Sequence, residues 1–368
     1  MYKEIAKLVL YGHQNDGSIL CEFEDIFREF DSGEYEKADL TRRILSQIKR
    51  ILEVSTDYGF NKNLWQNYLT FLLITNENPF SLTCEKVGAN DGSVNMFALN
   101  DCKAFMNLFN YDFSDIEHKL DINCFSIITN YTSIEKTERM YNKNVSEKVR
   151  TLCDKLEKAI TEEDFFNVLT DFYRDYGVGK FGLHRAFKIV SDGQSAEIVP
   201  ITRTEQVVLD DIVGYEIQKK KLRDNTEAFI RGKKANNALL YGDSGTGKST
   251  SIKAILNEYY KDGLRMIEVY KHQFKDISNV IAQIKNRNYK YILYMDDLSF
   301  EEFEIEYKYL KAIIEGGLET KPENVVIYAT SNRRHLIRET WGDRKQAPDD
   351  VHGNDSMQEK LSLATRFG

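Results

Sequence analysis

The stretch Asn237-Ala-Leu-Leu-Tyr-Gly242-Asp-Ser-Gly-Thr-Gly-Lys248-Ser249 decides the fold. An apolar run of strand length meets a glycine-rich loop, and a helix-length segment, 249–260, follows it. The eight residues from Gly242 to Ser249 have the spacing of a phosphate-binding loop, and both flanks are the ones that loop requires. Glycines let the backbone curl so that N–H groups face phosphate oxygens, and the helix behind adds the positive end of its dipole. Gly242, Asp243, Ser244, Gly245, Thr246, Gly247, Lys248, Ser249 and Thr250 are therefore the expected cradle for ATP. Lys248 is placed to reach the β and γ phosphates, and Ser249 to offer its hydroxyl to Mg2+, which prefers hard oxygen ligands.

Outward from this loop, short apolar runs at 265–269, 291–295 and 325–329 alternate with helical stretches such as 274–285. That alternation predicts an α/β domain with a parallel sheet flanked by helices. The run at 291–295 ends in Asp296-Asp297, roughly fifty residues after the loop, at the strand edge where ligands bind in such sheets. Asp296 is expected to hold Mg2+, directly or through water, and Asp297 to orient or deprotonate the attacking water. Glu301 and Glu302 follow closely and rank second for that polarising role. The run at 325–329 leads into Thr330-Ser331-Asn332, whose amide can touch the γ phosphate or the water, although an Asn at a strand tip is commonly a turn residue.

Taken in order, the phosphate loop, the apolar-Asp-Asp run and Ala329-Thr-Ser-Asn332 resemble the AAA+ ATPases. Leu209-Asp-Asp-Ile-Val-Gly-Tyr-Glu216 resembles the segment that packs on adenine in that superfamily, which implies Ile212, Val213 and Gly214 as base contacts. Ser362-Leu-Ala-Thr-Arg-Phe-Gly368 resembles the box that supplies an arginine finger, so Arg366 is implied to complete a neighbouring subunit's site. Within the superfamily, Glu315-Gly-Gly-Leu-Glu319 and Ala329-Thr-Ser-Asn-Arg-Arg-His-Leu336 resemble the bacterial domain of unknown function 815; Asn78-Pro-Phe-Ser-Leu-Thr-Cys-Glu85 resembles its N-terminal half. The resemblance implies Mg-dependent ATP hydrolysis to ADP by a homo-oligomer acting on a protein or nucleic-acid partner. Two departures stand out: Asp297 replaces the usual Glu, and the chain ends at Gly368, before the helical lid. The expectation is thus an AAA+ core cut short of its lid, with an ATP-dependent switch or scaffold that hardly hydrolyses as the alternative. A small-molecule kinase fits the loop but not the Asp-Asp and Ser-Asn strand tips.

The rest of the 368 residues is read from bulk properties. With 42% hydrophobic and 29% charged residues, two ordinary globular domains are affordable. The net charge of -8 argues against a general grip on nucleic acid. Cys21, Cys84, Cys102, Cys124 and Cys153 contain no CxxC pair and read as reduced, buried thiols. The N-terminus lacks a secretory pattern and no apolar run is long enough to cross a bilayer, so the expected compartment is the cytoplasm, with no membrane partner. Residues 1–205 predict a mainly helical domain of unknown partner or regulatory role, with a helix starting at Thr161 and ending near Gly177, then a strand or hairpin arm at 183–189. The polar segment 191–204 places the join there, leaving 206–368 as the ATP-binding core. Gly177-Val-Gly-Lys180 lacks the Ser or Thr of a second phosphate loop and reads as a turn; Lys219-Lys-Lys-Leu-Arg223 reads as a solvated helix face. Arg333-Arg-His335, just behind Asn332, is an even choice between a surface cluster and a part of the site.

Overall fold

The structure, a computed structural model, describes residues 1–12, 17–90, 92–133, 143–191, 195–300, 305–315, 322–333, 336 and 367. The chain divides into two compact units, Met1–Leu183 and His184–Gly368.

The first unit is helical among its described residues, and its helices start where local chemistry tells them to. Asn78 caps Pro79–Val87, with Ser81 returning a bond to the Asn78 backbone, and Thr161 and Asp164 form the same reciprocal box at the start of Glu162–Tyr176. Gly177 ends that helix at φ 76°, a conformation that favours glycine. Leu64–Thr75 is apolar nearly all round and runs through the core. Trp65 on this helix donates from Nε1 to the Leu108 carbonyl at 2.8 Å, and Phe113 stacks on Phe125 at 4.2 Å. The abundant aromatic residues here are core, as each buried ring removes a large apolar area from water. Four of the cysteines are buried free thiols, whereas Cys21 is half-buried.

Among the described residues, the second unit is built on a six-stranded sheet: β1 Ala186–Ser191, β2 Ala196–Pro200, β3 Ala238–Tyr241, β4 Leu264–Glu268, β5 Lys290–Met295 and β6 Val325–Ser331. Their order is β2-β1-β4-β5-β6-β3, parallel throughout except for the antiparallel β1–β2 hairpin. β6 is buried along its whole length, which explains its unbroken apolar run. The helix Lys248–Tyr259 covers one face through Ile252, Ile255 and Leu256, which pack with Met266, Ile292, Val326 and Tyr328. Each such fully buried aliphatic side chain contributes roughly 1.5–3 kcal/mol.

The boundary differs from the expected one near residue 205. The arm at 183–189 belongs to the sheet: β1 pairs with β4 through Ala186–Met266, Phe187–Ile267 and Lys188–Glu268. The polar stretch 191–204 therefore holds β2, paired with β1, and lies within the second unit. Turn residues mark chain reversals inside a domain as readily as joins between domains.

Candidate functional site

Three strand tips and one loop meet at the C-terminal edge of the sheet. β3 delivers the loop from Gly242 to Gly247, with Gly242, Gly245 and Gly247 at φ 146°, 78° and 80°. Those angles exclude most side chains and explain the glycine spacing. Lys248 opens the following helix, and its Nζ donates to the Gly242 carbonyl at 2.8 Å, the Asp243 carbonyl at 2.6 Å and Asn332 Oδ1 at 3.2 Å. An ammonium has three donors, so each has an acceptor. Thr250 lies in the first turn of the same helix.

β5 ends at Met295, and Asp296 stands next, its Oδ1 accepting from Ser249 Oγ at 2.6 Å and Thr330 Oγ1 at 2.6 Å. Burial pushes the Asp296 carboxyl up, yet the hydrogen bonds it accepts, led by the one from Ser249, outweigh this and hold it below its ordinary value. It is an ionised, oriented carboxylate beside a hydroxyl. Asp297 takes a left-handed backbone conformation at φ 47°, which costs a non-glycine residue about 1–2 kcal/mol. Two bonds fix it there: Asp297 N donates to Thr330 Oγ1 at 2.8 Å, and Asn332 Nδ2 donates to Asp297 Oδ1 at 2.9 Å. Asn332 thus joins Lys248 to Asp297, one amide serving both.

Thr330 organises both carboxylates, and its role is not evident from sequence, where it was only a neighbour of Asn332. Its hydroxyl accepts from the Asp297 backbone while donating to Asp296, and the side chain is buried. The signal lies in strand pairing: Met295 is in register with Ala329, so Asp296 faces Thr330.

The segment before the loop comes partly into place. Ile212 lies beside the phosphate loop, its Cγ2 at 3.4 Å from where a Cβ on Gly247 would stand. Gly214 has φ 80°, and Val213 is 93% exposed. Lys220 and Lys221 lie on the expected exposed face, but Lys219 departs from it: it is buried, pairs with Glu216 at 2.7 Å and donates to the Ile212 carbonyl at 2.9 Å. Arg223 likewise bridges Asp210 and Glu258, each at 2.9 Å, tying this segment to the helix Lys248–Tyr259. Glu301, Glu302, Arg334, His335 and Arg366 lie outside the described residues. Phe367, the residue after Arg366, forms a parallel bridge with Asn237 at the start of β3.

Among the described residues no three His, Cys, Asp or Glu side chains converge on a metal position. A hydroxyl and one carboxylate suit Mg2+, which keeps several waters and takes further oxygens from bound phosphate. No helix among the described residues is long and apolar enough to cross a membrane.

A family model described as protein of unknown function (DUF815) matches residues 183–368, from one residue before the second unit to its end. A curated relative, the replication factor C large subunit of Methanococcus vannielii, is 37% identical over 74 residues; the match covers 20% of this chain and 15% of the relative's length. Among solved structures, the Thermotoga maritima RuvB Holliday junction branch migration motor overlays at a TM-score of 0.29 and 19% identity, over 44% of this chain and 45% of that one. DnaI overlays at 0.31 and 19%, over 50% and 92%. Overlays at such scores are loose and say nothing further about this chain.

Proposed function

The chain belongs to the DUF815 family of proteins of unknown function, and from that premise we propose that it binds ATP with Mg2+ and hydrolyses it as an AAA+ ATPase. The observation that carries this is the closed network at the sheet edge: Lys248 to Asn332, Asn332 to Asp297, and Ser249 and Thr330 to Asp296. In this reading the loop amides and Lys248 hold the phosphates, and Ile212 and Gly214, with Val213 beside them, line the base. Ser249 and Asp296 hold Mg2+, which neutralises charge on the phosphate oxygens when bound. Asp297 accepts the proton of the attacking water, and Asn332 orients that water against the γ phosphate. Arg366 serves a neighbouring copy's site. The protein acts in the cytoplasm as a homo-oligomer, and the helical unit selects its protein or nucleic-acid partner.

The test is paired binding and turnover. Lys248→Ala is expected to abolish ATP binding, whereas Asp297→Asn keeps binding and loses roughly 10²–10⁴-fold in turnover. Arg366→Ala is expected to keep binding and lose about 10³-fold, with wild-type activity rising with protein concentration. Normal turnover in Arg366→Ala sinks the oligomeric part.

One observation favours the second reading, a nucleotide switch with little hydrolysis. Asp297 is the shorter carboxylate and is held by Asn332, which draws it toward the amide. Tight MgATP binding with turnover at background in a concentrated sample decides for the switch.

A further inference from the structure

Next to Ser249 and Asp296, the same sheet face carries two more oxygen groups. Tyr294 lies two residues before Asp296, and Glu268 at the end of β4 is in register with Tyr294. Alternation along a strand therefore sends Glu268, Tyr294 and Asp296 to one face, toward its C-terminal edge. That face is covered by the helix Lys248–Tyr259: Tyr294 packs in one cluster with Met266, Ile252 and Ile255. Tyr294 is 3% exposed, and its hydroxyl is buried without a hydrogen-bond partner of good geometry, although Ser249 and Asp296 flank it. Burial chiefly, with the Asp296 and Glu268 carboxylates adding to it, raises the Tyr294 phenol. Glu268 is half-buried, and its charge also acts on Tyr270.

A buried phenol oxygen without a well-formed hydrogen bond is costly, and phenylalanine would fill the same apolar space without that cost. What the position gains from tyrosine is a hydroxyl beside Ser249 and Asp296, the two groups that would hold the ion. Mg2+ gives up its waters reluctantly, and those waters need protein oxygens around them.

We propose that Tyr294 and Glu268 form the outer half of the Mg2+ site, the phenol and the carboxylate hydrogen-bonding waters that the ion retains. The inference rests on the ATP reading above and extends it to two positioning residues. Neither residue touches the phosphates in this account. Both set how tightly the ion is held, not whether nucleotide enters.

The experiment titrates MgCl2 against binding of a fluorescent ATP analogue to the full chain, and repeats the binding in EDTA. Tyr294→Phe and Glu268→Gln are expected to raise the half-saturating Mg2+ concentration by about tenfold or more, with binding in EDTA unchanged. Glu268→Asp should recover part of the loss. Glu268→Gln, at a half-exposed strand end, keeps the test available if Tyr294→Phe does not fold. Half-saturation within about twofold of wild type in the folded variants overturns the inference and leaves the ATP reading standing. Wild-type binding that ignores Mg2+, or Lys248→Ala binding as wild type does, overturns the ATP reading beneath it.

Discussion

Asp297 and Gly247 show how much of the site depends on backbone angles. Gly247 holds φ 80° and has Ile212 at 3.4 Å from a Cβ position, so alanine there meets both strain and contact. With about 1–2 kcal/mol of left-handed strain, Gly247→Ala should bind ATP roughly tenfold more weakly, read by calorimetry. An unchanged affinity would mean that the loop does not keep this conformation when nucleotide binds. Thr330→Val keeps the β-branched shape but leaves the Asp297 N–H without its acceptor and removes a donor from Asp296. A loss of about 1–3 kcal/mol in unfolding free energy of the second unit is expected, measured by urea denaturation. The meeting of the phosphate loop with Asp296 was legible because glycine spacing and strand ends can be read from sequence. Thr330 was not, since its partners lie one strand away and register is a property of folded pairs. Lys219 was misread for a similar reason: its charge suggested solvent, while its partner, the Ile212 carbonyl, is backbone.

Elements were the most legible level wherever an apolar run or a cap announced them. The four expected strands became β3 to β6 with ends shifted by a residue or two, and the helix expected at Thr161 runs Glu162–Tyr176. Thr161 Oγ1 accepts from Asp164 N at 3.1 Å while the Asp164 carboxylate accepts from Thr161 N at 3.0 Å. Thr161→Ala should therefore destabilise the helical unit by about 1 kcal/mol, with Thr161→Ser restoring most of it, both followed by urea unfolding. Equal stability of the alanine variant would mean that Phe165, Phe166 and Leu169, all buried, hold the helix without its cap. The hairpin β1–β2 was harder to see. β1 was read as an arm of the preceding domain, and β2 was hidden in a polar stretch because only Ala196 and Ile198 of it are buried.

At the scale of the whole molecule, that hairpin decides where the sheet unit begins. β1 pairs with β4 and β2 completes the sheet beyond it, so without residues 184–205 the edge of the sheet would be β4. Leu264, Arg265, Met266 and Ile267 of β4 are all buried, which makes β4 a central strand in character and a poor edge. Further bonds tie the hairpin down: Gln273 donates to the Ile189 carbonyl at 3.0 Å and Gln283 to the Ala196 carbonyl at 2.8 Å. A chain of residues 184–368 is accordingly expected to fold with a single cooperative thermal transition and to bind ATP. One of residues 206–368 keeps every residue of the phosphate loop and both aspartates, yet should aggregate or unfold well below the longer chain's midpoint. Size-exclusion chromatography and thermal scans of the two chains side by side check this. If the shorter chain is monomeric and as stable as the longer one, β4 tolerates exposure and the hairpin is an appendage; if it fails while the longer one binds ATP, the hairpin is part of the nucleotide-binding fold.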